Sequence, residues 1–212
     1  MLINLVQLIL VNSMPDALQK PLPIQAIYTD GSGGFGPYGG RGICGYAAIV
    51  WYDKDTMTVL GGTETLSTHQ RAELWAIILA LNHLRHLKKQ FSVSDAIEFP
   101  IVPIFSDSKY VIDALNYNWI AKWQQNGWLN TKGCPVADRD LWLQLIGPYP
   151  ATFHHIMGHS DALGKKGRLA QLKNRDRFGL HSDRHNLGNQ LANSAAGQFR
   201  RGEKIKDCSI LV

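Results

Sequence analysis

The sequence predicts an α/β fold on a five-stranded mixed sheet, with a three-strand antiparallel meander, two parallel strands and flanking helices. Two observations carry that prediction. The segments "PIQAIYTD", "ICGYAAIVWYD" and "TMTVLGGTETL" follow one another through short glycine-rich or polar connections, the pattern of a meander. Two later strand-like segments, "IVPIFSD" and "ATFHHIMGH", are separated by helical patterns, the spacing of parallel strands.

The elements follow in order. The first strand ends at Asp30 and leads into a glycine-rich turn through Gly40. A polar turn around Asp53 to Asp55 joins the second and third strands. "THQRAELWAIILALNHLRHLKK" is a long amphipathic helix with Leu74, Ile77, Ile78 and Leu81 on its buried stripe. The fourth strand ends at Asp107, and "SKYVIDALN" is the helix after it. "NWIAKWQQNGWLNTKG" is aromatic and irregular, and "RDLWLQLI" is a short helix. "GNQLANSAAG" closes the domain as a short helix bracketed by Gly188 and Gly197. Asn189 and Asn193, four apart, share one of its faces.

Composition narrows the class. The chain has 212 residues, is 45% hydrophobic and 18% charged, and fits one globular domain with extensions. It divides into an N-terminal extension over 1–23, a domain over 24–200 and a C-terminal tail over 201–212. Its three cysteines, an odd number without metal-ligand spacing, favour an intracellular setting, cytoplasmic, nucleoid or nuclear. No apolar run is long enough to span a membrane, and the first residues make a poor signal peptide. The net charge is +5, and residues 165–188 alone hold seven Lys or Arg against two acids. A basic segment on a neutral body points to a polyanionic partner; the alternative is a solvated loop.

The acids point to chemistry. Asp30 and Asp107 each end a hydrophobic strand, where residues converge at the rim of an α/β sheet. Glu73 lies early in the long helix between Ala72 and Leu74, and a carboxylate so placed is costly to bury unpaired. Three acids without matching cations suit a hard divalent ion. Carboxylates sharing two such ions serve in-line phosphoryl chemistry.

"YTDGSG", "THQRAELWAI", "FSDSKYVIDAL", "WIAKWQQNGW", "PVADRDLW" and "MGHS" occur in the order of type 1 ribonuclease H, and the chain resembles that family from about Ile24 to Gly197. The resemblance implies an RNase H-like fold and a monomeric endonuclease. It would cleave the RNA strand of RNA–DNA hybrids with Mg²⁺, Mn²⁺ substituting, and would need no membrane. Asp30, Glu73 and Asp107 match the family's first three carboxylates, and His159 matches its assisting histidine. Asn193 falls on the fourth acid, in "GNQLAN" where the family has G-N-E-x-A-D, so a chain with this sequence is expected to be catalytically impaired. A second register, with Asn189 on that acid, matches less of the motif and also finds an amide. The other reading is a hybrid-binding protein with a naturally degenerate site.

The resemblance also implies substrate contacts. Thr68 would hold a DNA-strand phosphate, while Arg71 supports the fold. Gln70, Asn189, Ser32 and Gly33 would lie along the minor groove, where 2′-hydroxyls mark RNA. His69 replaces a common Asn, and Asp138 a common phosphate-binding Asn. Trp119, Trp123 and Trp128 match the handle that packs on DNA sugars, with the handle's own core as the competing role. The basic 24-residue segment 165–188 is an insertion relative to the family, expected to reach phosphate through Lys165, Lys166 and Arg168.

Overall fold

The computed structural model of the protein describes residues 23–34, 41–53, 56–91, 99–160 and 162–203. The N-terminal extension (except Pro23), residues 35–40 of the glycine-rich turn and most of the C-terminal tail lie outside the described residues. The five strands are β1 (Ala26–Gly33), β2 (Gly42–Trp51), β3 (Met57–Ser67), β4 (Val102–Ser106) and β5 (Ala151–His155). They form one sheet in the order β3-β2-β1-β4-β5. β1, β2 and β3 pair antiparallel as the meander, and β4 and β5 join in parallel. β1 runs three residues beyond the expected end at Asp30, because Gly31, Ser32 and Gly33 keep pairing with Tyr46, Gly45 and Cys44.

Alternation along the central strands divides the core into two layers. Ile27, Ala48, Val50 and Ile104 face α1 (His69–Phe91), which buries Leu74, Ile77, Ile78 and Leu81 against them. Tyr28, Ile49 and Phe105 face α6 (Ser182–Arg200), which answers with Ala192, Ala195, Ala196 and Phe199. Small residues let α6 lie close to the sheet. A Cβ on Gly188 would stand 2.5 Å from carbon atoms of the buried Tyr28 ring.

Three segments depart from the sequence expectations. The aromatic stretch contains a helix, α3 (Trp119–Gln125), because Ile120 and Trp123 fall on one side and bury together. Residues 165–188 are ordered secondary structure, not a solvated loop. They hold α5 (Lys165–Phe178), a 3₁₀ turn over Gly179–His181 and the first two turns of α6. α5 is mostly polar, and it buries a narrow stripe of Gly167, Ala170 and Asn174. Phe178 at its end meets Phe105 edge-on at 5.8 Å and His185 at 4.7 Å. The last helix therefore begins at Ser182, six residues before the glycine that marks its start in the sequence. The remaining helices, α2 (Lys109–Asn116) and α4 (Arg139–Trp142), follow the expected segments. Among the described residues no helix is long and apolar enough to cross a membrane.

The close seating of Gly188 generates a test. Gly188→Val should destabilise the protein by roughly 1–3 kcal/mol, since overpacking a buried ring outweighs any helix-propensity gain over glycine. Urea unfolding measures this, and an unchanged midpoint would show that α6 does not seat on Tyr28.

Candidate active site

Register brings the first two acids together. Thr29 of β1 pairs with Ser106 of β4, so the residues that follow, Asp30 and Asp107, lie side by side at the strand ends. Glu73 arrives from the other layer. A Cβ on Gly31 would lie 2.4 Å from the Glu73 nitrogen and 2.6 Å from the Ala72 carbonyl carbon, so only glycine lets α1 approach β1 this closely. The Gly31 N–H then donates to the Glu73 carboxylate. Ligand atoms of Asp30, Glu73 and Asp107 all lie within 4.8 Å of one another. No other group of three or more His, Cys, Asp or Glu among the described residues is gathered this way.

The cluster is electrostatically unfavourable as it stands. Burial pushes the Asp30 carboxyl well above the usual carboxylate range, and the Asp107 charge and a hydrogen bond with Asp107 push it further. Burial does the same to Glu73, with Asp30 and Asp107 adding to it and the Gly31 hydrogen bond opposing. Asp30 Oδ2 and Glu73 Oε2 are buried and meet no hydrogen-bond partner among the described residues. Two bare carboxylate oxygens beside a third acid fit a divalent cation, which would supply the missing positive charge.

The rim is completed by the segment after β5. A Cβ on Gly158 would stand 1.9 Å from Asp107 Oδ2, so the Met157–Ser160 loop runs directly against that carboxylate. His159, next in the chain, is exposed and holds a left-handed φ of 57°. On the opposite side, His69 Nε2 lies 3.4 Å from Glu73 Oε1. Gly34, just past β1, abuts the backbone of Thr68 and His69, so the end of β1 and the start of α1 form one surface with half-buried Ser32 and exposed Gln70; Gly33 is buried, which corrects its expected place along the minor groove.

The two amides of α6 differ in setting. They stand one turn apart on one face of α6, and Gln190 beside them in sequence donates to Ser160 Oγ at 3.2 Å. Asn193 is half-buried. Asn189 is 3% exposed and its Oδ1 is buried without a hydrogen-bond partner among the described residues. That burial corrects the expectation that Asn189 touches a minor groove; exposed Gln70 and half-buried Ser32 remain accessible.

Other expected roles are redistributed. Trp123 and Trp128 are 9% and 7% exposed and belong to the main core, so they cannot offer a face to DNA sugars; Trp119 is partly buried. Thr68 caps α1, its Oγ1 accepting the Arg71 N–H at 3.2 Å. Arg71 supports the fold, tying β3 to the handle through Glu64 at 3.1 Å, Asp138 at 3.2 Å and Asp140 at 2.8 Å. Asp138 is thus committed to Arg71. Lys165, Lys166 and Arg168 are exposed on α5. The parts played by Gly31, Gly158 and the polar residues that hold the His159 loop have no signature in the sequence, beyond the place of the two glycines beside the acid and histidine motifs.

This sheet order, with acids at the ends of β1 and β4 and a glutamate from α1, defines an RNase H-like fold. The RNase H family model matches residues 24–171, and the chain belongs to that family. Ribonuclease H of Moorella thermoacetica is 37% identical over 140 residues, which cover 64% of this chain and 80% of that protein. Ribonuclease H of Caldanaerobacter subterraneus is 37% identical over 143 residues, 65% of this chain and 81% of that one. Among solved structures, the type 1 enzyme LC9-RNase H1, described as carrying the type 2 active-site motif, superposes with a TM-score of 0.50 at 23% identity. The match covers 84% of this chain and 74% of that one. A foamy viral protease–reverse transcriptase in complex with RNA/DNA hybrid superposes with a TM-score of 0.54 at 21% identity, over 90% of this chain and 22% of that one.

The strained cluster sets a pH dependence. Asp30 and Glu73 are raised above their unfolded values, so the cost of ionising them is absent below the ordinary carboxylate range, near pH ~4, and grows as pH rises through it. In chelator, Asp30→Asn should stabilise the protein at pH ~7 by on the order of 1 kcal/mol, and much less near pH ~4. Thermal melts at the two pH values check this; a lower melting temperature for Asp30→Asn at the higher pH would contradict it.

Proposed function

We propose that this chain hydrolyses the RNA strand of RNA–DNA hybrids with two divalent ions, Mg²⁺ or Mn²⁺, and that Asn193 slows its turnover. The observation that supports the reading best is the trio Asp30, Glu73 and Asp107, within 4.8 Å and with bare buried oxygens, in a chain of the RNase H family. Divalent ions held by these acids supply Lewis-acid stabilisation of the phosphate and a water of lowered pKa. Glu73 is held by the Gly31 N–H and Asp107 is walled by Gly158, so the acids are oriented before any substrate arrives. His159, exposed on the loop whose Gly158 lies against Asp107, assists at the scissile phosphate and in product release. Thr68, His69, Gln70 and Ser32 form the adjoining surface for the hybrid, with Trp119 as the handle's accessible aromatic ring.

Asn193 carries the departure. An amide oxygen can coordinate, but it would bring no charge to a site that would hold divalent ions on Asp30, Glu73 and Asp107. Asn193→Asp should therefore raise cleavage of labelled hybrid by several powers of ten, on the order of 4 kcal/mol in the barrier, and leave DNA duplex intact. Asn189→Asp, buried against the sheet, should not do so. If Asn193→Asp folds and binds hybrid but stays inert with both Mg²⁺ and Mn²⁺, the hybrid-binding protein with a degenerate site becomes the better account.

The cations of α5 extend the polyanion surface. Because the inserted segment includes the start of α6, the clean variant replaces charges and keeps the helix. Lys165→Gln, Lys166→Gln and Arg168→Gln together should weaken hybrid binding and flatten the plot of log affinity against log salt by roughly 0.7–0.9 for each phosphate no longer neutralised. An unchanged slope would show that α5 stays clear of the hybrid.

A further inference from the structure

The inserted helix reaches the active-site rim through one buried amide. Asn174, on the stripe of α5 that also buries Gly167 and Ala170, is 1% exposed. Its Oδ1 accepts the Met157 N–H at 2.8 Å, and its Nδ2 donates to the Met157 carbonyl at 3.0 Å. The same Nδ2 donates to Asn186 Oδ1 of α6 at 2.7 Å. One side chain thus pairs both backbone groups of a residue just past the end of β5, as a neighbouring strand would. One turn earlier on α5, Gln171 Nε2 donates to the Ser160 carbonyl at 2.7 Å, and Gln190 of α6 reaches the Ser160 hydroxyl at 3.2 Å. These hydrogen bonds bracket Gly158, which lies against Asp107, and His159.

The choice of residue is informative. A buried amide is costly unless its groups are paired, and an apolar side chain would dock a helix more cheaply. Asn174 has its oxygen and its amide nitrogen engaged, and what it gains is a fixed orientation of the loop. An ångström of slack there would move His159 and the backbone wall of Asp107 together.

We propose that Asn174 is a positioning residue: from the inserted helix it anchors the Met157–Ser160 loop and so sets where His159 and Gly158 stand relative to Asp107. Its effect on rate rests on the nuclease reading; its anchoring of the loop does not. Two measurements on the full chain test this, with Asn174→Ala and with Asn174→Asp, which keeps the acceptor and loses the donor. In amide hydrogen exchange, Met157 should exchange faster in Asn174→Ala, which removes the acceptor of its N–H, and stay closer to the parental rate in Asn174→Asp, which keeps it, while the amides of β1 and α1 keep their protection in both; unchanged exchange at Met157 in Asn174→Ala overturns the proposal. In the Asn193→Asp background, single-turnover cleavage of hybrid with saturating protein should slow by roughly ten- to a hundredfold. Hybrid affinity should stay within about twofold, and Asn174→Ala should cost less when added to His159→Ala than it costs alone, since part of its effect runs through His159. Effects that multiply, or a parental rate in Asn174→Ala, overturn the positioning role. If Asn193→Asp itself cleaves no hybrid, the nuclease reading fails, and hydrogen exchange alone decides whether Asn174 anchors the loop.

Discussion

Three carboxylates whose ligand atoms lie within 4.8 Å repel one another, and two of them are buried as well. Ionised and unpaired, they oppose the fold that assembles them. That gathering is a product of backbone geometry, not of attraction among the groups. The parallel register of β1 and β4 sets Asp30 beside Asp107, and a glycine at position 31 lets α1 press Glu73 against the same strand. The sheet's apolar layers supply the stability that holds this arrangement, with Leu74, Ile77 and Leu81 on one side and the alanines of α6 on the other.

Polar satisfaction around the site is uneven, and the unevenness is itself informative. In the loop after β5, Met157 and Ser160 meet amide partners from α5 and α6. Arg71 meets three acids at once. Asp30 Oδ2 and Glu73 Oε2, between these two paired regions, meet none among the described residues. Buried polar atoms are ordinarily paired, so bare oxygens inside a well-paired frame mark the place where a ligand belongs.

The insertion between the His159 loop and the last helix joins two properties that charge alone does not distinguish. Its outward face carries lysines and arginines that suit a polyanion. Its inward stripe is narrow, and Asn174 at its C-terminal end is held by the loop and by α6. A helix fixed in this way presents its cations from a rigid support, which lowers the entropic cost of using them. The exposed and buried sides therefore serve one end of the molecule.

Much of this protein was legible in the sequence. Strand patterns at Pro23–Asp30, 43–53 and 56–66, and two later strands each ending near a candidate acid or histidine, state an α/β fold because side-chain periodicity follows directly from backbone geometry. Asp30 and Asp107 stood out as acids at strand ends, and Glu73 as an acid between apolar neighbours early in a helix, a set without matching cations that has few other uses. Residues 165–188 read as a basic segment for a polyanion, with a solvated loop as the alternative, and neither reading foresaw a helix; that helix depends on a stripe of Gly167, Ala170 and Asn174 that has no meaning until Met157 and Asn186 lie against it. Trp123 and Trp128 could face either solvent or core on spacing alone, and only the packing around Trp142 decided for the core. Local periodicity and charge belong to the chain, whereas burial, partner choice and close approach arise only when segments far apart in sequence occupy one volume, and tertiary structure alone settles them.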